Sequence, residues 1–200
     1  MPKERLSVQG KQKGREENGE KFMPNGLMGL KEKWKGMLAF GLGMGVLLWL
    51  DQWTKQLAVR YLMGKPAIVL MEGVLELRYL ENRGAAFGMF QGRQFFFFLV
   101  ALAVFAMIVF ALYRMPFTRR YLPLGCSMAL LSAGAAGNMI DRISQQYVVD
   151  FIYFCLIDFP IFNVADCYVT VAAFCMMILV LWVYHDEDWD VFLWKRKMEA

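Results

Sequence analysis

The chain has 200 residues, of which 58% are hydrophobic, and its mean hydropathy is +0.37. Soluble domains usually contain about 45–50% apolar residues, so this composition argues against a soluble globular protein and against a disordered one. The net charge of +4, from 22 basic and 18 acidic residues, is too small to indicate a nucleic-acid-binding protein. His185 is the single histidine, which excludes a zinc site built on several histidines, and the four cysteines form no CxxC pair, which argues against a disulfide framework.

The chain begins with a polar segment, residues 1–36, which we interpret as a flexible cytoplasmic tail. Four mostly apolar stretches follow, each close to the 20 or so residues that a bilayer-crossing helix needs; they cover about residues 37–57, 95–113, 122–140 and 165–184. They define a membrane domain over residues 37–184, with outer loops at about 58–94 and 141–164, before a second cytoplasmic tail at 185–200. The polar start and the lack of a small-residue cleavage site after span one predict an uncleaved anchor.

The positions of Lys and Arg predict the orientation of the spans. Nine basic residues precede span one, Arg119 and Arg120 lie in the short loop between spans two and three, and Lys195, Arg196 and Lys197 follow span four. The other two loops carry few or widely spaced basic residues, so we expect both termini to be cytoplasmic and both larger loops to face outward.

The first outer loop contains a pattern typical of strands. Ala67–Met71 is an apolar run, Glu72-Gly73 fits a turn, and Leu75–Tyr79 alternates with period two. The predicted fold is therefore an all-α integral membrane protein with four transmembrane helices and a small extracytoplasmic antiparallel β element.

Span one carries two ionisable residues, Asp51 and Lys55, on one helix face near its outer end. Two interpretations have equal weight: an ion pair at the interface with Lys55 snorkelling outward, or a structural or substrate-contacting role near a site. Gly41 and Gly45 in the same span have GxxxG spacing, which we interpret as helix packing.

Polar residues also cluster at the outer ends of spans three and four. Asn138 and Asp141 share a helix face after the small residues Gly134–Gly137, and Arg142 follows. Asp150 lies just beyond span three in the apolar run Tyr147–Ile152. Asn163 and Asp166 share a face where span four begins. Two carboxylates, Asp150 and Asp166, are thus expected at one membrane depth.

Two close carboxylates do not both ionise readily and share a proton, which suits metal-free hydrolysis with one acid and one base. In the alternative interpretation, Asp150 and Asp166 pair with Arg142 and Lys55 and only hold helices together. Spacing alone leaves both interpretations open. The sequence contains no HExxH, GxSxG or P-loop motif.

Five segments in order resemble the signatures of the lipoprotein signal peptidase (signal peptidase II) family of bacterial membrane aspartyl peptidases. The segments are Asp51–Lys55, Asn82–Gly88, Gly134–Arg142, Val148–Phe151 and Phe162–Asp166. The resemblance covers about residues 38–182 and implies removal of the signal peptide from diacylglyceryl-modified prolipoproteins, by cleavage before the lipid-bearing cysteine.

The resemblance also implies roles for individual residues. The catalytic pair falls on Asp150 and Asp166. The supporting residues are Asn138, Asp141, Arg142 and Asn163, and the substrate-binding residues are Asp51, Lys55, Asn82, Gly84, Phe87 and Gly88. The family uses no metal and no cofactor. The implied partners are lipidated prolipoproteins and membrane lipids, without nucleic acid, and the implied location is the bacterial cell (inner) membrane with the site on the extracytoplasmic side.

The sequence departs from the family pattern in two places. The polar tail is longer than usual, and Arg83 stands where a small or polar residue is more familiar. Asp158 lies between the two implied catalytic acids, and we interpret it as a loop residue.

Two other functions fit the polar residues. A small transporter or channel would use the intramembrane carboxylates to relay protons or bind cations, although the chain has no internal repeat. A non-catalytic membrane scaffold would use the same residues only to pack helices.

Overall fold

The structure is a computed structural model that describes residues 30–84 and 94–192. These residues form four long α-helices, one short α-helix, a 3-10 helix at Cys155–Ile157 and three strands. The helices are α1 (Leu30–Leu62), α2 (Gln94–Arg114), α3 (Leu122–Gln145), α4 (Val164–Ile178) and α5 (Asp186–Trp189), and the strands are β1 (Ile68–Met71), β2 (Leu75–Asn82) and β3 (Val148–Phe154). Leu179–Val183 continues α4 as a π-helix.

The helices extend beyond the apolar stretches that predicted them. The first begins at Leu30, inside the predicted tail, and ends at Leu62 rather than near residue 57. Its first turns contain lysine and glutamate, which are good helix formers, so the helix does not stop where the apolar sequence stops. In the same way, α3 continues past residue 140 to Gln145.

Length and composition support membrane crossing most clearly for one helix. Within residues 30–84 and 94–192, Val164–Val183 has a mean hydropathy of 2.2 and is the one helix long and apolar enough to cross a membrane on these grounds. Phe98–Arg114 is a shorter apolar stretch. The first helix carries buried charges and the third is rich in glycine, alanine and serine, which lowers the hydropathy of both.

Helix α3 is central because it contacts α1, α2 and α4. At Gly134 the approach to α4 is so close that a Cβ atom would lie 2.5 Å from the Ala165 carbonyl oxygen and 2.8 Å from Val169 Cγ2. The small residue at this position therefore admits the neighbouring helix.

The strands form one antiparallel sheet in the order β1-β2-β3. The predicted hairpin of β1 and β2 is confirmed, with Gly73 in the left-handed region at φ 69° in the turn. The third strand was missed, because residues 141–164 were expected to be a loop. Its pairing places Asn82 opposite Val148 and Leu80 opposite Asp150, so β2 and β3 bring two elements of the site together.

At the other end of the helices, α5 folds back on the connection between α2 and α3. Arg120 donates to both carboxylate oxygens of Asp188, at 3.0 and 2.7 Å. Trp189 and Phe192 pack against a core that includes Tyr184. The predicted tail boundary at residue 185 therefore falls inside packed structure, because aromatic side chains beyond it cover the core.

Candidate active site

The start of α4 fixes the orientation of Asp166. Asn163 is the N-cap, and its Oδ1 accepts from the backbone N–H of Asp166 at 3.0 Å. In return, Asp166 Oδ2 accepts from the backbone N–H of Asn163 at 3.1 Å. This reciprocal capping box satisfies two otherwise unpaired donors at the helix start. Local sequence alone therefore positions one of the two acids.

Asp150 lies on β3 with its side chain 1% exposed. Its Oδ1 accepts from Asn163 Nδ2 at 2.6 Å, and its Oδ2 accepts from Asn82 Nδ2 at 2.8 Å. One donor comes from the start of α4 and the other from the end of β2, so the strand pairing and the helix start together hold this carboxyl group.

Two asparagines connect the acids. Asn163 contacts both, because its amide donates to Asp150 while its cap binds Asp166. Asn138 Nδ2 donates to Asp166 Oδ1 at 2.8 Å, and Asn138 Oδ1 accepts from Asn163 Nδ2 at 3.1 Å. The structure thus brings the two predicted acids into one hydrogen-bonded group.

The two acids have different environments. Burial of the side chain, and after it the negative charge of Asp166, raises the pKa of Asp150 to about 7. Asp166 is half-buried. An acid that stays protonated near neutral pH beside a second carboxyl group is the arrangement that general acid–base hydrolysis uses.

A buried ionic cluster lies on the other side of Asn138. Lys55 Nζ is 2.9 Å from Asp51 Oδ2 and 2.9 Å from Asp141 Oδ2, and it donates to Asn138 Oδ1 at 3.0 Å. Lys55 is 3% exposed and Asp51 is fully buried. Of the two interpretations of Asp51 and Lys55, outward snorkelling of Lys55 is wrong, because two carboxylates and an amide oxygen hold its ammonium group inside the protein.

This cluster also joins three helices. Asp51 Oδ1 accepts from the backbone N–H of Ala165 in α4 at 3.0 Å. Gly137 makes room for Asp51, since a Cβ atom at Gly137 would lie 3.0 Å from Asp51 Cγ. Asp141 pairs with Lys55, and its Oδ2 also accepts from the backbone N–H of Val149 at 3.3 Å.

Gln52 belongs to the site although the sequence assigned it no role. Its Nε2 donates to Asp51 Oδ2, to the Gly137 carbonyl and to Asp141 Oδ1, at 3.2, 3.3 and 3.0 Å. The available signal was its position beside Asp51 in an apolar span, where an amide needs partners.

Three of the remaining predicted site residues, Asn82, Gly84 and Arg142, are linked by hydrogen bonds, and Asn82 also binds Asp150. Arg142 donates to the Gly84 carbonyl at 3.1 Å, and Asn82 Oδ1 accepts from the Gly84 N–H at 3.0 Å. Phe87 and Gly88 lie outside the described residues. Asp158 lies past the far end of β3, where its carboxylate accepts from the Tyr153 hydroxyl at 2.7 Å.

Relatives and solved structures resemble this chain over most of its length. Proteins named lipoprotein signal peptidase are 40% identical in Anoxybacillus flavithermus, over 72% of this chain and 86% of that protein, and 36% identical in Clostridium tetani, over 74% and 95%. A solved bacterial membrane enzyme structure at 30% identity has a TM-score of 0.62 and covers 72% of this chain and 87% of its own. A transporter or channel function finds no support in these comparisons.

The fold and the site together define the class of the protein, a helical membrane enzyme of the aspartic peptidase type. The family model described as signal peptidase (SPase) II matches residues 44–182, which is well over half of the chain. The chain belongs to the signal peptidase II family.

Proposed function

We propose that this protein is an endopeptidase that removes the signal peptide from diacylglyceryl-modified prolipoproteins, cutting before the lipid-modified cysteine. The proposal rests on the family, and on one observation in the site. Asp150 and Asp166, from β3 and α4, are joined through Asn163 in a single hydrogen-bonded group.

The reaction follows from the different environments of the acids. Asp166, half-buried, takes a proton from a water molecule, and the water oxygen attacks the scissile carbonyl carbon. Asp150, which keeps its proton near neutral pH, protonates the carbonyl oxygen. The carbon–nitrogen bond then breaks as Asp166 passes the proton from water to the leaving amine. Asp150 recovers a proton from a hydroxyl of the tetrahedral intermediate, and the acyl carbon keeps the oxygen from water as a carboxylic acid.

The supporting residues have separate tasks in this proposal. Asn163 and Asn138 hold the two carboxyl groups at a fixed separation. Asn82 and Gly84, at the end of β2, lie beside Asp150 and face the substrate. Asp51 and Lys55 are buried, so their burial supports a role in holding α1 against α3 and α4 better than the predicted direct contact with substrate.

The arrangement in the membrane is part of the proposal. The four long helices cross a bacterial cell membrane, both termini are cytoplasmic, and the sheet and the two acids lie at the outer surface. The membrane domain covers residues 37–184. The exposed apolar side chains of β1 rest on the lipid beside the acyl-bearing cysteine of the substrate. Residues of the chain supply the acid and the base, so we propose that no metal takes part.

The decisive experiment uses three carboxyl-to-amide changes. Asp150→Asn and Asp166→Asn should each lower cleavage of a purified lipidated precursor at least 1000-fold, because each removes a proton-transferring group. Asp158→Asn is the matched control, since Asp158 lies between the two acids in the chain and its carboxylate accepts from the Tyr153 hydroxyl past the far end of β3.

The controls separate catalysis from a scaffold role. All three variants should insert into membranes and keep the melting temperature of the wild type to within a few degrees. Cleavage at the wild-type rate by either Asp150→Asn or Asp166→Asn would refute the assignment. If Asp150→Asn and Asp166→Asn both fail to fold, and neither gives a folded but inactive protein, the non-catalytic scaffold function is favoured.

A further inference from the structure

Two cavities flank α3 near the candidate active site. One, of about 330 Å³, lies between α2 and α3. The other, of about 310 Å³, lies between α1 and α3. The first is lined by the α3 residues Ala135, Met139, Arg142 and Ile143 and by Gln146, the C-cap of α3. The α3 residues on the second are Asp141, Ser144 and Gln145.

The cavities lie on nearly opposite faces of the helix. At 3.6 residues per turn, the centres of these two sets are about 155° apart around α3. Asn138 falls between them, about 70–85° from each. The residue that binds Asp166 therefore separates the two spaces.

The cavities differ in chemistry. In the cavity between α2 and α3, α2 contributes Phe95, Phe98 and Ala101, so most of the lining is apolar. The α1 side adds Gln52, Lys55, Gln56 and Arg60, with Val59 and Val149 as the apolar part. A polar cavity of this size with several hydrogen-bonding groups has room for several water molecules, whereas an apolar one suits hydrocarbon.

The polar cavity runs from the surface to the ionic cluster. Gln56, Arg60 and Ser144 at its rim are exposed, whereas Lys55 and Asp141 at its floor are buried. Lys55 also donates to Asn138 Oδ1, at 3.0 Å. One layer of side chains, Lys55 and Asn138, thus stands between the cavity and Asp166.

Hydrolysis consumes one water molecule per bond, so water must reach the acids while a lipidated substrate lies against them. We propose that the polar cavity between α1 and α3 is the port through which water reaches the two acids, on the face of α3 opposite the apolar cavity. Water passes its floor when the Lys55 ammonium exchanges its hydrogen bond with Asn138 for one with water. This inference rests on the proposed function.

The test places a removable plug at the rim. Ser144→Cys is made in a parent whose four cysteines are replaced by alanine, and the thiol is treated with hydrophilic methanethiosulfonate reagents of increasing size. The largest adduct should lower kcat at least tenfold and leave KM within twofold, because water supply and not substrate binding is obstructed. Dithiothreitol should remove the adduct and restore kcat.

Glu72→Cys in the same parent is the control. Glu72 is exposed on the turn between β1 and β2 and lines neither cavity, so its adduct should leave kcat unchanged. Complete labelling of Ser144→Cys with full kcat, or failure of the hydrophilic reagent to reach it, overturns the port. If neither the wild type nor the unlabelled parent cleaves the precursor, the proposed function is wrong, and the proposed water port is wrong with it.

Discussion

At the scale of single residues, the site depends on how Asp150 is held. Two side-chain amides donate to its oxygens, which favours the ionised form, yet the side chain is 1% exposed and lies near a second acid. Burial is the larger effect, with the charge of Asp166 next, and together they raise the pKa of Asp150 to about 7. The group that the mechanism uses as the acid therefore holds its proton up to about neutral pH.

A pH–rate profile tests whether Asp150 is the acid that donates its proton. We expect kcat for the lipidated precursor to fall above about pH 7, approaching tenfold per pH unit, because Asp150 loses the proton that it must donate. Asp158→Asn should show the same profile as the wild type. A rate that stays constant to pH 9 would contradict the assignment of the acid.

The same shift affects stability. The folded-state pKa of Asp150 lies above the ordinary value of 3.8, so its contribution to folding is full below about pH 4 and is lost as pH rises through about 7. The loss is up to about 4 kcal/mol. We expect the melting temperature of the wild type in detergent to fall between pH 5 and pH 8 by more than that of Asp150→Asn.

At the scale of elements, glycines in two helices have different surroundings. Gly134 of α3 lies against the backbone of α4, whereas a Cβ atom at Gly41 or Gly45 of α1 would meet nothing within 4 Å. The predicted helix packing at Gly41 and Gly45 therefore involves no contact with the residues that the structure describes. The spacing is common by chance, and here neither glycine faces another helix of the described chain.

Alanine substitutions test this contrast. Gly134→Ala should lower stability by about 2 kcal/mol, because the added methyl group forces α3 away from the Ala165 carbonyl. Gly41→Ala should be neutral or stabilise by up to about 1 kcal/mol, because alanine is the better helix former. The melting temperatures of the two variants are measured in the same detergent. An equal decrease in both would contradict the close packing of α3 on α4 at Gly134.

At the scale of the whole molecule, the two ends of the helices differ in what covers them. The sheet and the acids follow the C-terminal end of α3, and α5 packs at the opposite end. The third helix has 24 residues and is about 36 Å long, which exceeds the roughly 30 Å of a bilayer core. The two ends can therefore lie on opposite sides of a membrane.

Labelling of single cysteines in whole cells tests this topology. In the cysteine-free parent, Glu72→Cys should react with a membrane-impermeant thiol reagent added outside intact cells. Glu187→Cys, exposed in α5, should react only after the cells are permeabilised. The parent without either cysteine gives the background. Reaction of both positions from the same side would contradict the proposed crossing.

The sequence by itself determined the four helices, the β1–β2 hairpin and the family, and through the resemblance it predicted which two acids form the catalytic pair. Each depends on local information: apolar length, alternation with period two, and short motifs in fixed order. The tertiary structure decided the rest. Strand β3, the inward direction of Lys55, and the contacts of Gln52 depend on partners that are distant in the chain, with Gln52 and Asp141 separated by 89 positions. A polar side chain in an apolar span must find a partner, but only the folded chain specifies which one.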